Sequence, residues 1–181
     1  MAGTAKTTEI DRGEKEIRRR IAELAKTPGG PYVKAGILAD AGAHKDADGL
    51  TVAEIAIFNE FGTPTIPERG FMRAAAVELT PIMKALGARM LSAYISGKLT
   101  LDQALDTMGL KAVAVIKRTI RDWEDPPNAP STIRAKARKT GRAKLAKAKS
   151  KGGEAELLSQ YNNPLEDTGQ LRNSVQHEKV K

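Results

Sequence analysis

Apolar and polar positions alternate along this chain in a few clean periods. Between Thr8 and Lys26, Ile10, Ile17, Ile21 and Leu24 fall on one helical face beside Arg18, Arg19 and Arg20, which predicts a first helix. Thr27-Pro28-Gly29-Gly30 stops it, because proline disfavours a helical conformation in the residue before it. From Tyr32 to Leu38 the period changes to two, predicting a strand with Val33, Ala35 and Ile37 on one face. Residues 39–50 are small or charged and read as a solvated loop. Within it, Asp46-Ala47-Asp48-Gly49 lacks the remaining ligands of a calcium loop.

Thr51-Val52-Ala53-Glu54 has the spacing of a capping box, so a short helix is predicted over Val52 to Phe61. Gly62 is expected to supply a left-handed cap and Pro64 to forbid continuation. Pro67 is expected to open the next helix, with Glu68 complementing its dipole. Phe61 through Pro67 would then form a stiff, extended connector. Beyond it Phe71, Ala75, Leu79, Ile82, Met83, Leu86, Met90 and Tyr94 form a long apolar stripe, kinked at Pro81 and ended at Gly97.

Thr100-Leu101-Asp102-Gln103 is a second capping box. It starts a helix with Leu101, Leu105, Met108, Ala112, Val115, Thr119 and Trp123 on one face, terminated by Asp125-Pro126-Pro127. The two long helices, joined by a short turn, are expected to form an antiparallel hairpin packed on the strands. After Pro130, Ser131 is the expected cap of a helix whose only large apolar residues are Ile133 and Leu145. Gly152-Gly153 breaks it, a turn or two of helix follows over Glu154 to Tyr161, and Ser174 to Lys181 returns as a strand or extended arm.

The fold class that follows is α+β: a small antiparallel sheet flanked by a long helical hairpin, with an N-terminal helix and a basic C-terminal arm. The organisation divides into residues 1–30 (N-terminal helix), 31–130 (α+β core), 131–163 (basic helical arm) and 164–181 (turn and strand returning to the core). The 181 residues suffice for one core of modest size, and with 4% aromatic residues that core must be built from Ala, Leu, Ile, Val and Met. There is no cysteine, so no disulfide and no thiolate metal site. No apolar run approaches the roughly 18 residues of a membrane-spanning helix, and a protein without a membrane is expected.

The net charge of +8 is local. Nine cations, Arg134, Lys136, Arg138, Lys139, Arg142, Lys144, Lys147, Lys149 and Lys151, occur without an acid among them, and removing them leaves 21 Lys and Arg against 22 Asp and Glu. Such a run can bind a nucleic-acid backbone by counterion release, but it has no interleaved aromatics for stacking. An acidic protein partner or a solvated face is the preferred reading, since charge alone gives weak specificity.

Enzymatic chemistry finds little footing. His44 and His177 stand alone and are expected as surface histidines; Glu54 and Glu60 are close enough for a paired-carboxylate reading, but Glu54 is already committed to a cap. Asp167 beside Thr168-Gly169 reads as a turn or helix cap. No catalytic residue, metal site or cofactor is expected.

Two segments carry a resemblance. Val33 to Leu38, then a short helix ending in Glu60-Phe61-Gly62-Thr63, a Pro-rich link, and Phe71 and Arg73 opening a long helix, form the first. Pro130-Ser131-Thr132-Ile133, a Lys/Arg-rich stretch, then Pro164-Leu165 and Asp167-Thr168-Gly169-Gln170-Leu171 before Ser174 form the second. In order and spacing, over roughly residues 32–75 and 123–176, they resemble the neck or tail-completion family of tailed bacteriophages. Glu68, Gly70 and the long basic stretch of residues 135–163 depart from its pattern.

The resemblance implies a non-enzymatic virion protein at the head-tail junction, assembled in the host cytoplasm. It implies a homomeric ring, six-fold favoured, contacting neighbouring neck, tail-terminator or head-connector rings, with DNA passing through its lumen. Phe61, Gly62, Pro64, Ile66, Pro67, Phe71 and Arg73 are the expected interface. Arg134, Lys136, Arg138, Lys139, Arg142, Lys144 and Lys147 are the expected electrostatic contact with DNA or an acidic partner. The rival reading is a nucleic-acid-binding module using the same basic run; an enzyme is a distant third.

Overall fold

A computed structural model of the chain describes residues 13–38, 42, 49–150, 152–159 and 161–180. The element order is α1 (Glu14–Leu24), β1 (Tyr32–Ile37), α2 (Val52–Phe61), α3 (Phe71–Ile95), α4 (Leu101–Arg121), α5 (Pro130–Ser150), α6 (Glu154–Ser159), α7 (Gln170–Asn173) and β2 (Val175–Val180). The class is α+β, with a two-stranded antiparallel sheet beside the long α3–α4 hairpin. His44, Ile10 and Asp46 to Asp48 lie outside the described residues.

The sheet joins the strand that follows α1 to the last element of the chain. β1 and β2 pair in full register from Tyr32 opposite Val180 to Ile37 opposite Val175. The face of β1 bearing Ala35 and Ile37 packs on the core, as its alternation requires. α4 is the central element, touching α3, both strands and α7.

Both capping boxes form. Thr51 accepts from the Glu54 amide at 3.2 Å while the Glu54 carboxylate accepts from the Thr51 amide at 2.7 Å. Thr100 and Gln103 repeat the exchange at the head of α4. At the hairpin turn Gly97 takes a φ of 78°, the Lys98 amide reaches the Ala93 carbonyl and the Gly97 amide the Tyr94 carbonyl. That pair of bonds is a Schellman closure, which lets α3 stop and α4 begin within a few residues.

The core sits at one end of the hairpin. Val52 and Ala56 of α2, Phe71 and Ala75 of α3, Val115, Ile116 and Ile120 of α4, and Leu165, Leu171 and Val175 meet there. Ile116 and Ile120 are deeper than Thr119 and Trp123, so the buried face of α4 is rotated from the expected stripe. Further along α3, Ile82, Met83, Leu86 and Met90 are only half-buried. Tyr94 closes the far end, where α1 docks by polar contacts. Arg20 donates to the Tyr94 and Leu99 carbonyls, and the Tyr94 hydroxyl lies 2.7 Å from Glu23. Burial, then the Glu23 carboxylate, pushes that phenol up to about 12.

Three local expectations are corrected. α3 begins at Phe71 rather than Pro67, with Gly70 in the N-cap position. α5 begins at Pro130, whose missing N–H is no loss in a first turn, so Ser131 lies one step inside the helix rather than capping it. His177 is no surface histidine: its ring packs over Gly109 of α4, 3.3 Å from Asp106, and its side chain is largely covered.

That last contact gives a prediction. A Cβ at Gly109 would overlap the His177 ring, so Gly109→Ala is expected to destabilise the fold by about 1–3 kcal/mol through overpacking. His177→Ala in the same chain should relieve much of that loss, and a double-mutant cycle by chemical denaturation measures both.

Candidate functional site

The segment between α2 and α3 is held by one buried carboxylate. Glu60, in the last turn of α2 and 6% exposed, accepts from the Met72 amide at 2.8 Å and the Arg73 amide at 3.1 Å. Those are first-turn N–H groups of α3, which have no partner inside their own helix. The negative group also meets the positive end of the helix dipole. Arg73 clamps the other side, donating to the Glu60 carboxylate at 3.0 Å, the Glu60 carbonyl at 2.8 Å and Glu68 at 2.5 Å. Glu68, then Glu60, holds the Arg73 guanidinium above the usual arginine range.

This cap explains why α3 starts late. With Glu60 supplying the N-terminal acceptor, the preceding residues fold back instead of extending. The Thr63 amide donates to the Ile66 carbonyl at 2.8 Å, the Thr63 hydroxyl accepts from the Thr65 and Ile66 amides, and the Arg69 amide donates to the Asn59 carbonyl at 2.7 Å. The expected extended connector is therefore a compact, internally bonded loop. Gly62 has φ 74° and ψ 171°, outside the left-handed helical well it was expected to occupy. A Cβ there would stand 2.9 Å from the Glu68 amide nitrogen, so the fold-back requires glycine.

Of the expected interface residues, Phe61 is 65% exposed, with the Arg73 guanidinium 5.6 Å from its ring centre. Pro64 and Pro67 are exposed, and Gly62 and Ile66 are half-buried. Phe71 is 0% exposed at the centre of the core, so it is removed from the contact surface: its ring is needed inside. The sequence reading missed Ile57, one turn before Phe61, and Val77, one turn after Arg73, which are 53% and 76% exposed. Ile57 and Phe61, one turn apart on α2, form an exposed apolar patch, and Val77 stands exposed on α3 one turn beyond Arg73. Beside the patch Ile37, Ala53, Ala56, Ile57, Phe61 and Met72 line a groove of about 310 Å³.

The two resembling segments meet on the other side of α2. Asn163 accepts from the Leu165 amide at 2.8 Å and donates to the Ile120 and Arg121 carbonyls, capping the C-terminal end of α4. Its own carbonyl accepts from the Asn128 amide at 3.1 Å and from Lys136 at 2.9 Å, and Lys136 also donates to the Glu166 carbonyl. Lys136 is 8% exposed, so it is a pin fastening α5 to the body rather than an outward electrostatic contact. Arg134, Arg138 and Lys139 do face outward, and Lys139 lies 3.4 Å from Asp167. The side chains of Arg142, Lys144 and Lys147 lie outside the described residues.

Sequence reasoning also missed Arg69, 6% exposed, which donates to the Pro126 carbonyl and to Asn59, each at 3.2 Å. Burial lowers the pKa of its guanidinium. No periodicity marks an arginine as interior. Among the described residues, no group of three or more His, Asp or Glu is arranged to hold a metal ion, and no helix is long and apolar enough to cross a membrane.

Glu60→Ala strips the acceptor from two part-buried amides and from Arg73, and is expected to lower stability by about 2–3 kcal/mol. Phe61→Ala, at an exposed site, should stay within about 0.5 kcal/mol of wild type. Equilibrium urea unfolding of both variants checks the contrast. No protein-family model, curated protein or solved structure matches this chain.

Proposed function

We propose that the chain is a structural protein of the phage neck, a tail-completion or head-tail joining component that forms a homomeric ring around the DNA channel. The observation that carries this is the exposed apolar pair Ile57 and Phe61 on α2, beside the groove they line with Ile37 and Met72, on an element that Glu60 and Arg73 brace. A preorganised apolar surface loses little conformational entropy on docking, so it suits a contact repeated between identical copies. One heterologous contact repeated until it closes makes a ring, and the six-fold case is favoured by the resemblance in residues 32–75 and 123–176. The mechanism is geometric: subunits grip through the patch and leave a lumen wide enough for DNA, with neighbouring rings above and below.

A second reading, a nucleic-acid-binding module, is favoured by Arg134 and Arg138, which lie one helical turn apart on α5 and face solvent. In it the arm would neutralise phosphates without reading bases.

Light scattering after size exclusion, with negative-stain imaging, is expected to find closed rings of the wild-type protein. Phe61→Glu should be monomeric with an unfolding midpoint close to wild type. A wild-type protein that stays single at high concentration and is missing from purified particles would overturn the ring. DNA binding that falls steeply with salt, and is lost in Arg134→Ser/Arg138→Ser while rings are absent, would instead favour the module.

A further inference from the structure

An amphipathic helix ordinarily buries its apolar stripe against the body it docks on, and α1 does the reverse. It meets the hairpin through polar side chains: Arg20 donates to the Tyr94 and Leu99 carbonyls, its guanidinium lies 5.2 Å from the Tyr94 ring centre, and Glu23 accepts from the Tyr94 hydroxyl. Ile17 and Ile21 are left 39% and 52% exposed, and the helix contributes no buried residue. A lone exposed isoleucine needs no explanation. Two of them one turn apart, on a helix already docked by another face, form a ridge that the described part of its own subunit leaves in water.

The groove on α2 is the opposite case. Ile37, Ala53, Ala56, Ile57, Phe61 and Met72 line about 310 Å³, roughly ten water volumes. Its rim is likewise a row of residues four apart, Ile57 and Phe61, and two such rows interlock in the commonest mode of helix packing. Ridge and groove cannot meet within one chain. Met72 stands in the first turn of α3 and Tyr94 in the last, about 33 Å apart at the helical rise, whereas Ile17 and Ile21 lie within one turn of the Arg20 that reaches Tyr94.

Charge selects between two ways of filling the groove with a second copy. α2 carries Glu54 and Glu60 and no cation, while α1 carries Lys15, Arg18, Arg19 and Arg20 against Glu14, Glu16 and Glu23. A second α2 would bring acid to acid; α1 brings the opposite net sign together with an apolar ridge.

We propose that the groove receives α1 of a second copy, with Ile17 and Ile21 against Ile57, Phe61 and Met72. The inference rests on the ring reading and names the element that makes its contact. Because ridge and groove sit at opposite ends of α3, each copy offers one to each neighbour, the heterologous arrangement from which a ring closes.

The chain has no cysteine, so single ones can be introduced cleanly. Full-length Ala25→Cys, altered one turn beyond Ile21, and Ala53→Cys, altered in the groove, both spare the apolar anchors. The two are mixed in equal amounts and treated with a short bismaleimide, and the linked peptides are assigned by mass spectrometry. A product joining position 25 to position 53 is expected, well above any product of either variant alone. Ile17→Glu/Ile21→Glu in the same chains should raise the protein concentration needed for that product at least about tenfold, since two apolar side chains are lost from the contact. It should keep the wild-type circular dichroism, because α1 buries no residue. Rings that survive Ile17→Glu/Ile21→Glu in light scattering would overturn the proposal and leave the ring standing. The product formed by a protein that makes no closed ring would uphold the proposal and overturn the ring. Absence of the product, a product indifferent to the two glutamates, or a dominant link between two copies of position 53 would overturn the proposal.

Discussion

One carboxylate, Glu60, decides the geometry around it. It leaves water at the end of α2 and answers the N–H groups at the start of α3, so the two helices are joined by charge-assisted hydrogen bonds as well as by chain. An unpaired carboxylate so deep would be untenable, and the dipole of α3 together with Arg73 makes the burial permissible. From this follow the fold-back of residues 62–70, the immersion of Phe71 in the core and the outward turn of Phe61. Arg73 is thus both a brace between α2 and α3 and the cover of the exposed Phe61 ring.

Asn163 does at the far side of α2 what Glu60 does at the near side. It ends α4, starts the loop to Leu165 and offers its carbonyl to Asn128 and Lys136. Two short polar hubs therefore fix the segments that gather around α2. The apolar core they enclose is small, and the long hairpin runs out from it. α1 adds no buried residue and is fastened by Arg20 and Glu23 against Tyr94 and the Leu99 carbonyl.

Much of this was legible in the chain. The two capping boxes, the strand at Tyr32 and the long stripe of α3 announce themselves through local spacing, and local chemistry decides them. Gly62, Pro67 and Phe71 were misplaced because their conformation depends on Glu60, a residue whose role is set by a helix that comes after it. Phe71 has the composition of an anchor, and only the late start of α3 puts it inside. Lys136 was hidden in a run of nine cations, where nothing local distinguishes the one that turns inward. Arg69, Ile57 and Val77 likewise take their meaning from neighbours distant in sequence.

The pairing of β1 with β2 has a consequence for the order in which the molecule can come into being. Val175, Leu165 and Leu171 close a core whose other walls come from residues 52–120, so the hairpin emerging from the ribosome has no finished floor to settle on. Long-range pairing of this kind is slow and comes after chain closure. A chain cut short before residue 164 would display an open apolar end, the kind of surface on which cellular proteases act.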